Sequence, residues 1–420
     1  MMKKSLLVDV QKWTEEPNWG IPVFTYNLIK NFIALNEENK NTGAEYLDLY
    51  FLQDTVREQP EYDKGKKTIN KYKELSKYYI EKIGILRSGA DYIYNKLKEL
   101  KLNKIYRMYN KQTKKGQGKE KFDAIYLPNA GYYFPPFKAD MIIATIHDIA
   151  GIDRSQNKSL NFRNYLRLSE RKRVESNSLA SIKRSDIITT VSNYTKSRLI
   201  DLLNIDGGKI KIIPNGVDMN IFKPVEDGGK GKNKVKEYLK NRHNIEKPFI
   251  LYVGAIQPRK NIKGLLDAYI SSESLRKNFD MVIVAGQIWQ SGEELKLISK
   301  YSDNIHLIRN TKVEELPLFY NAAEVFIYPS FYEGFGTPLL EAFACGTPVA
   351  ASDRTSLPEV GGEAAVYFNP YEIDGIRQGL ENLIFDDELK YELVKRGFAR
   401  VKDFTWEKAA KKLLEIMELN

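Results

Sequence analysis

Glu333 and Glu341 stand with seven residues between them in the run Tyr328-Pro-Ser-Phe-Tyr-Glu-Gly-Phe-Gly-Thr-Pro-Leu-Leu-Glu-Ala-Phe-Ala-Cys-Gly-Thr-Pro-Val. The apolar stretch Val325 to Tyr328 predicts a buried strand that stops at Pro329. Gly334 and Gly336, on either side of Phe335, give the next loop conformational freedom. Thr337 is a good N-cap and Pro338 suits the first position of a helix. The amides of Leu339 and Leu340 are then orphan donors of the first turn, where an anion such as a diphosphate is stabilised. One turn in, the Glu341 carboxylate can accept bonds from vicinal hydroxyls such as those of a ribose. Gly346 is placed to end the helix. The spacing of the two glutamates alone is weak, because an acidic residue near a helix N-terminus often only complements the helix dipole. The whole string is much more specific.

The elements that must position these residues alternate. Strands are predicted at Phe249–Val253, Met281–Ala285, Ile305–Ile308, Val325–Tyr328 and Val349–Ala351, with helices at Ile262–Ile270, Val313–Ala322 and Leu339–Cys345. Such alternation builds βαβ units on a parallel sheet, whose ligands bind at the carboxyl ends of the strands. The first half reads as strands at Leu6–Val10, Tyr46–Leu52, Ala124–Leu127, Met141–Ile146, Ile187–Val191 and Ile210–Ile213. Helical patterns run from Val23 to Leu35, through about 62–109, from Ser159 to Ser185 and from Tyr194 to Leu203. Pro214-Asn-Gly-Val-Asp and the polar run Glu226 to Lys234 interrupt the apolar pattern and mark the boundary between two domains, at about 218. A last helix, about Trp406 to Leu419, carries Trp406, Ala409, Leu413, Leu414, Ile416 and Met417 at packing positions.

Composition fits two soluble domains: 420 residues, 42% hydrophobic and 29% charged. The single cysteine, Cys345, allows no intrachain disulfide, which fits a reducing compartment. The N-terminus reads as a first strand because its apolar run is too short for a signal peptide. No stretch reaches the roughly 18 apolar residues of a membrane span. The net charge is +10, and residues 61–120 hold 17 Lys and Arg against seven Asp and Glu. That segment is either a set of solvated helix faces or a surface for anionic phospholipid or a charged acceptor. Nucleic acid is disfavoured, since neither zinc-ligand spacing nor a base-reading motif is present.

The 328–349 string resembles the donor-site signature of glycosyltransferase family 4, retaining enzymes with the GT-B fold. Other stretches resemble the family in the same order. Gly254-Ala-Ile-Gln-Pro-Arg-Lys-Asn is similar to its basic loop, and Pro214-Asn-Gly-Val-Asp with Phe222 to its interdomain segment. Thr145-Ile-His-Asp, Val191-Ser-Asn-Tyr-Thr-Lys and the glycine loop Trp19-Gly-Ile-Pro resemble its N-terminal motifs. The resemblance covers about 7–410 except roughly 55–120.

It implies an α/β architecture of two Rossmann-like, doubly wound parallel-sheet domains facing a cleft. Residues 1–218 would bind the acceptor, 219–403 the nucleotide-sugar donor, and 404–420 would cross back to the N-terminal domain. Arg259 and Lys260 match the pair that grips the donor diphosphate, and two cations there would offset a developing leaving-group charge. Glu341 matches the ribose-binding residue, Glu333 the one beside the transferred sugar, and His147 the histidine that contacts that sugar. Asp148 orients the histidine loop or is structural. Gly20 matches a glycine that lets the backbone approach the diphosphate. Gly254, Asn310, Gly334, Phe335, Gly336, Thr337 and Leu339 complete the implied donor site. The implied reaction moves a mannose- or glucose-type hexose from a GDP- or UDP-sugar to a glycan or lipid-linked acceptor, at the cytoplasm or the cytoplasmic membrane face. It uses no metal or cofactor, and the leaving diphosphate helps to deprotonate the acceptor.

Two positions depart from the pattern. Pro22 stands where many relatives have a second glycine, and Asn310 where a glycine near the nucleobase is common. Competing functions are a phosphorylase or epimerase of the same architecture and a non-catalytic partner subunit. The first lacks an identifiable pyridoxal-phosphate lysine, the epimerase lacks support from the Glu333/Glu341 string, and the intact Glu333, Glu341, Arg259, Lys260 and His147 argue against the last. If the 61–120 segment docks on a membrane, sedimentation with anionic vesicles falls as salt rises, and neutral vesicles do not bind. Equal binding to both, or to neither, refutes electrostatic docking.

Overall fold

The computed structural model describes residues 4–9, 21–42, 47–52, 121–130, 138–151, 153, 178–225, 230–288 and 292–418. The basic 61–120 segment, Gly20 and most of the predicted 159–185 helix lie outside them, although 178–184 is helical.

Among the described residues, twelve strands form two six-stranded sheets in which every recorded pairing is parallel. The N-terminal sheet holds β1 (Ser5–Asp9), β2 (Asp48–Leu52), β3 (Lys121–Leu127), β4 (Lys138–Ile146), β5 (Ile187–Thr190) and β6 (Ile210–Ile212), in the order β2-β1-β3-β4-β5-β6. The C-terminal sheet holds β7 (Phe249–Val253), β8 (Asp280–Val284), β9 (Ile305–Ile308), β10 (Val325–Tyr328), β11 (Val349–Ser352) and β12 (Ala365–Phe368), in the order β12-β11-β10-β7-β8-β9. β7, β8, β10 and β11 are buried along their whole length. Their near-continuous apolar runs are what a parallel sheet covered on both faces requires.

The described helices are α1 (Ile21–Thr42), α2 (Asn193–Leu203), α3 (Lys230–His243), α4 (Ile262–Ser271), α5 (Glu273–Asn278) and α6 (Gly292–Lys300), then α7 (Leu316–Ala322), α8 (Thr337–Cys345), α9 (Leu357–Gly361), α10 (Ile373–Ile384), α11 (Asp387–Val401) and α12 (Trp406–Glu418). Pro22 falls in the first turn of α1, where a missing N–H costs no helix bond. Two predicted boundaries need correction. The polar run to Lys234 is not linker throughout: α3 begins at Lys230, because Val235 and Leu239, four residues apart, bury one face while the lysines stay in water. The segment from Val313 opens as a 3-10 turn and becomes α7 only at Leu316.

The C-terminal sheet reverses its winding between β7 and β10, so the loops after those two strands diverge around a crevice. The chain end ties the two sheets together. α12 lies against α1, with the Trp406 ring edge-on to Phe24 at 5.8 Å. Val217 N–H donates to Phe404 O at 3.0 Å, and a Cβ on Gly216 would stand 2.3 Å from Trp406 N. Backbone that close cannot yield by a rotamer change. Gly216→Ala is therefore expected to cost about 1–3 kcal/mol, read as a lower urea midpoint. An unchanged midpoint would mean that the 405–406 backbone moves aside freely.

Candidate donor site at the winding reversal

Arg259 and Lys260 lie in one 3-10 turn, Pro258–Lys260, in the loop after β7. Asn261 closes that turn in the left-handed region (φ 56°), where asparagine is tolerated. Phe331 N–H donates to Arg259 O at 2.9 Å, stitching this loop to the one after β10. Glu333 sits between the two cations. Its Oε2 accepts from Arg259 Nη1 at 2.9 Å and its Oε1 from Lys260 Nζ at 2.5 Å. Arg259 also donates to Tyr332 O, and Lys260 to the Tyr328 hydroxyl at 2.6 Å. Glu333 and Lys260 are buried. Burial alone would raise the Glu333 carboxyl, but Arg259 and Lys260 outweigh it and hold it at about 2. Burial and the neighbouring Arg259 pull Lys260 down to about 8, against the opposing pull of Glu333.

The backbone of Glu333 is held as closely as its side chain. Its N–H donates to Thr355 Oγ1 at 3.0 Å, and its carbonyl accepts from Ser356 Oγ at 3.0 Å. Thr355 has φ 59°, a left-handed conformation that costs a β-branched residue about 1–3 kcal/mol. The strain sits at the residue that holds the Glu333 amide. Sequence reasoning missed both residues, since neither belongs to a string that marks a bond to residue 333.

Gly334 lets the two halves meet. A Cβ there would stand 2.0 Å from His147 O and 2.9 Å from Asp148 Cβ. His147 is thus brought to the Glu333 loop. Its Nε2 donates to Pro128 O at 2.7 Å, which leaves Nδ1 as the acceptor, and its ring meets Phe24 edge-on at 4.6 Å. Burial lowers its pKa to about 4, although the Pro128 bond and Asp148 oppose this. Solvent reaches only part of the ring, and it is neutral at pH 7.

The first turn of α8 differs from the predicted one. Gly336 is the N-cap (φ 106°) and Thr337 is already helical, with its Oγ1 accepting from Asn215 Nδ2 at 3.0 Å. The Leu339 amide is not an open donor, because it turns back to Gly336 O at 3.0 Å. Gly336 adopts a conformation forbidden to threonine, so the cap shifts by one residue. Gly346 ends the helix at φ 74°. Phe335 packs edge-on to Phe404 at 5.7 Å. Gly254 directly follows β7, at the start of the loop that carries Arg259 and Lys260. Glu341 accepts from the Tyr320 hydroxyl at 2.7 Å, and burial lifts its carboxyl to about 7. Asn310 is not part of the cluster. It stands exposed after β9, at the far edge of the sheet, with φ 57°, which explains why asparagine can take a glycine's place there. Among the described residues, no group of three or more His, Cys, Asp or Glu could hold a metal ion, and no helix is long and apolar enough to cross a membrane.

The family profile described as "Glycosyl transferases group 1" matches residues 235–400, and "Glycosyltransferase Family 4" matches 95–221. The chain is 28% identical over 297 residues to the O-antigen chain mannosyltransferase B of Escherichia coli, covering 70% of this chain and 74% of that one. It spans only 28–29% of the length of three longer E. coli relatives, each a serotype-specific mannosyltransferase WbdA. Among solved structures it resembles a sucrose-phosphate synthase from Thermosynechococcus elongatus (TM-score 0.67, 19% identity, 99% of each chain). It also resembles HepE from Anabaena in complex with UDP and glucose (TM-score 0.63, 12% identity, 99% of each chain). At these identities the structural likenesses establish a shared GT-B fold.

Glu341 ionises near pH 7 in the folded chain but near 4.5 once unfolded, so its charge destabilises the fold progressively as pH rises from 4.5 to 7. Glu341→Gln keeps an acceptor for Tyr320 without that charge. Its unfolding free energy should match wild type at pH 4 and exceed it by on the order of 3 kcal/mol at pH 8. A pH-independent difference would show that Glu341 titrates normally.

Proposed function

This chain belongs to glycosyltransferase family 4, and from that premise we propose that it transfers a hexose from a nucleoside-diphosphate sugar to an acceptor hydroxyl with retention of the anomeric configuration. The observation that carries the reading is the Arg259–Glu333–Lys260 cluster at the winding reversal of the C-terminal sheet. Crevices of this kind bind ligands at the carboxyl ends of strands. Two cations from one turn, with Glu333 between them, leave the cluster a net positive charge that attracts a diphosphate, with the arginine able to fork across two of its oxygens. In this reading Glu341 on α8 accepts from the ribose hydroxyls.

In the proposed step the bond from the anomeric carbon to the diphosphate oxygen breaks, and a bond to the acceptor oxygen forms on the same face. The acceptor proton passes to the departing diphosphate. Arg259 and Lys260 stabilise the charge that grows on that leaving group. Glu333, held ionised, stabilises the oxocarbenium-like sugar. Neutral His147 offers Nδ1 to a sugar hydroxyl. No protein nucleophile is needed, unlike the two facing carboxylates of a retaining glycosidase. The cation pair supplies the counter-charge, so the reaction requires no metal ion. The names of the relatives, mannosyltransferases of which one acts on an O-antigen chain, favour mannose as the sugar; the proposed product is a surface polysaccharide or glycolipid made at the cytoplasmic face.

Thermal unfolding with UDP, GDP, ADP, CMP and dTDP, with chelator present, tests the donor site. One of the diphosphates should stabilise the chain, by about 2.7 kcal/mol at a hundredfold excess over Kd, and Arg259→Ala should weaken that effect. With the matching sugar nucleotide, Arg259→Ala lowers kcat by roughly 10²–10³-fold, and proton NMR of the product shows the donor's own anomer. A chain that responds to no diphosphate is instead a non-catalytic subunit, and an inverted product rejects the same-face step.

A further inference from the structure

The N-terminus of α2 is held by the opposite half of the molecule. Glu359, in α9, accepts from Asn193 N at 2.7 Å and Asn193 Nδ2 at 2.9 Å through Oε1, and from Tyr194 N at 3.0 Å through Oε2. A carboxylate at the positive end of a helix, bonded to two first-turn amides and a side-chain amide, is a strong charge-assisted contact. Ser192, the buried N-cap of α2, accepts from Thr195 N and donates its hydroxyl to Gly334 O at 2.7 Å. The same helix end therefore touches the C-terminal half twice, at Glu359 and at the residue beside Glu333.

These contacts close a ring. Thr355 and Ser356 grip the N–H and C=O of Glu333, and Ser356 also donates to Phe335 O at 2.9 Å. Glu359 follows in the same segment, three residues after Ser356. Arg400 anchors its other side, donating to Glu359 O and Val360 O. Starting at Glu359, the ring passes through α2 to Ser192, Gly334 and Glu333, and returns through Thr355 and Ser356. A shift of α2 away from α9 strains the bond from Ser192 to the Glu333 loop as well as the bonds to Glu359. Because Thr355 is held in a costly backbone conformation, it keeps its place only while its surroundings over-determine it.

We infer that Glu359 is a positioning residue: by gripping the N-terminus of α2 it sets the approach of the two halves and, through the ring, the placement of Glu333. Calling Glu333 catalytic rests on the transferase reading; the coupling between Glu359 and the Glu333 backbone does not.

Hydrogen exchange measured on the full chain separates the two. In Glu359→Ala, exchange at Asn193 and Tyr194 should quicken at least tenfold, and so should exchange at Glu333, which Glu359 does not touch. The β8 and β9 amides should be unchanged, which controls for loss of fold. Glu359→Gln keeps one acceptor oxygen and should fall between wild type and alanine; it decides the matter if the alanine variant does not fold. Faster exchange confined to 193–194, with Glu333 unaffected, overturns the coupling. With UDP-glucose or GDP-mannose as the probe, turnover by Glu359→Ala should drop at least tenfold while Kd for the matching diphosphate changes less than twofold. Turnover equal to wild type overturns the positioning role. A wild type that consumes neither donor and is stabilised by no diphosphate of the panel sinks the transferase reading and leaves the exchange result to decide the coupling.

Discussion

A carboxylate buried between two cations is the interaction around which this molecule is arranged. Withdrawing Glu333, Arg259 and Lys260 from water carries a desolvation penalty that attraction repays only with good geometry and every partner in place. The surroundings meet that condition. Tyr328 and the Tyr332 carbonyl accept further bonds from the cations, and Thr355 and Ser356 fix the backbone from which the carboxylate projects. Such a cluster is a poor way to gain stability and a good way to hold charges at defined places. Removing one member strands the others, so the three residues are bound together as a unit.

Sheet topology explains why the cluster lies where it does. β7 and β10 are neighbours in space but far apart in sequence, and their connections leave in opposite directions. The loops carrying Arg259–Lys260 and Glu333 therefore open away from each other above a shared crevice, and the Phe331–Arg259 bond bridges them. The N-terminal half contributes His147 at the end of β4 and the start of α2 after β5. Both arrive at Gly334, the one position in this loop where the absence of a side chain lets another backbone approach.

Much of this was legible in the sequence because it is written locally. Strands Phe249–Val253, Ile305–Ile308 and Val325–Tyr328 are short apolar runs bounded by turn residues, and their ends were read without error. The parallel-sheet α/β reading of the second half followed from their alternation with helices, and the two-sheet architecture from the family resemblance. The misreadings have local causes as well. Threonine is the better N-cap by propensity, yet Gly336 takes the cap because the loop turns through a conformation only glycine adopts easily. A lysine-rich run resembles a linker until Val235 and Leu239 find a core. The roles of Thr355, Ser356, Tyr320 and Glu359 carry no local signal at all. Each depends on which distant segment the fold brings alongside, and no spacing along the chain encodes that.

The packing of α12 on α1 has a consequence for how the chain comes into being. Phe24, Leu28 and Phe32 are buried in the finished molecule, with Trp406 against Phe24. On the ribosome the first of these emerges some 380 residues before its cover. At about 5–20 residues per second, the apolar face of α1 waits roughly 20–80 s for α12. During that interval the N-terminal half is a nascent domain lacking its final helix, exposed to chaperones and to its neighbours on the same message. Its folding can finish only after α12 has been made.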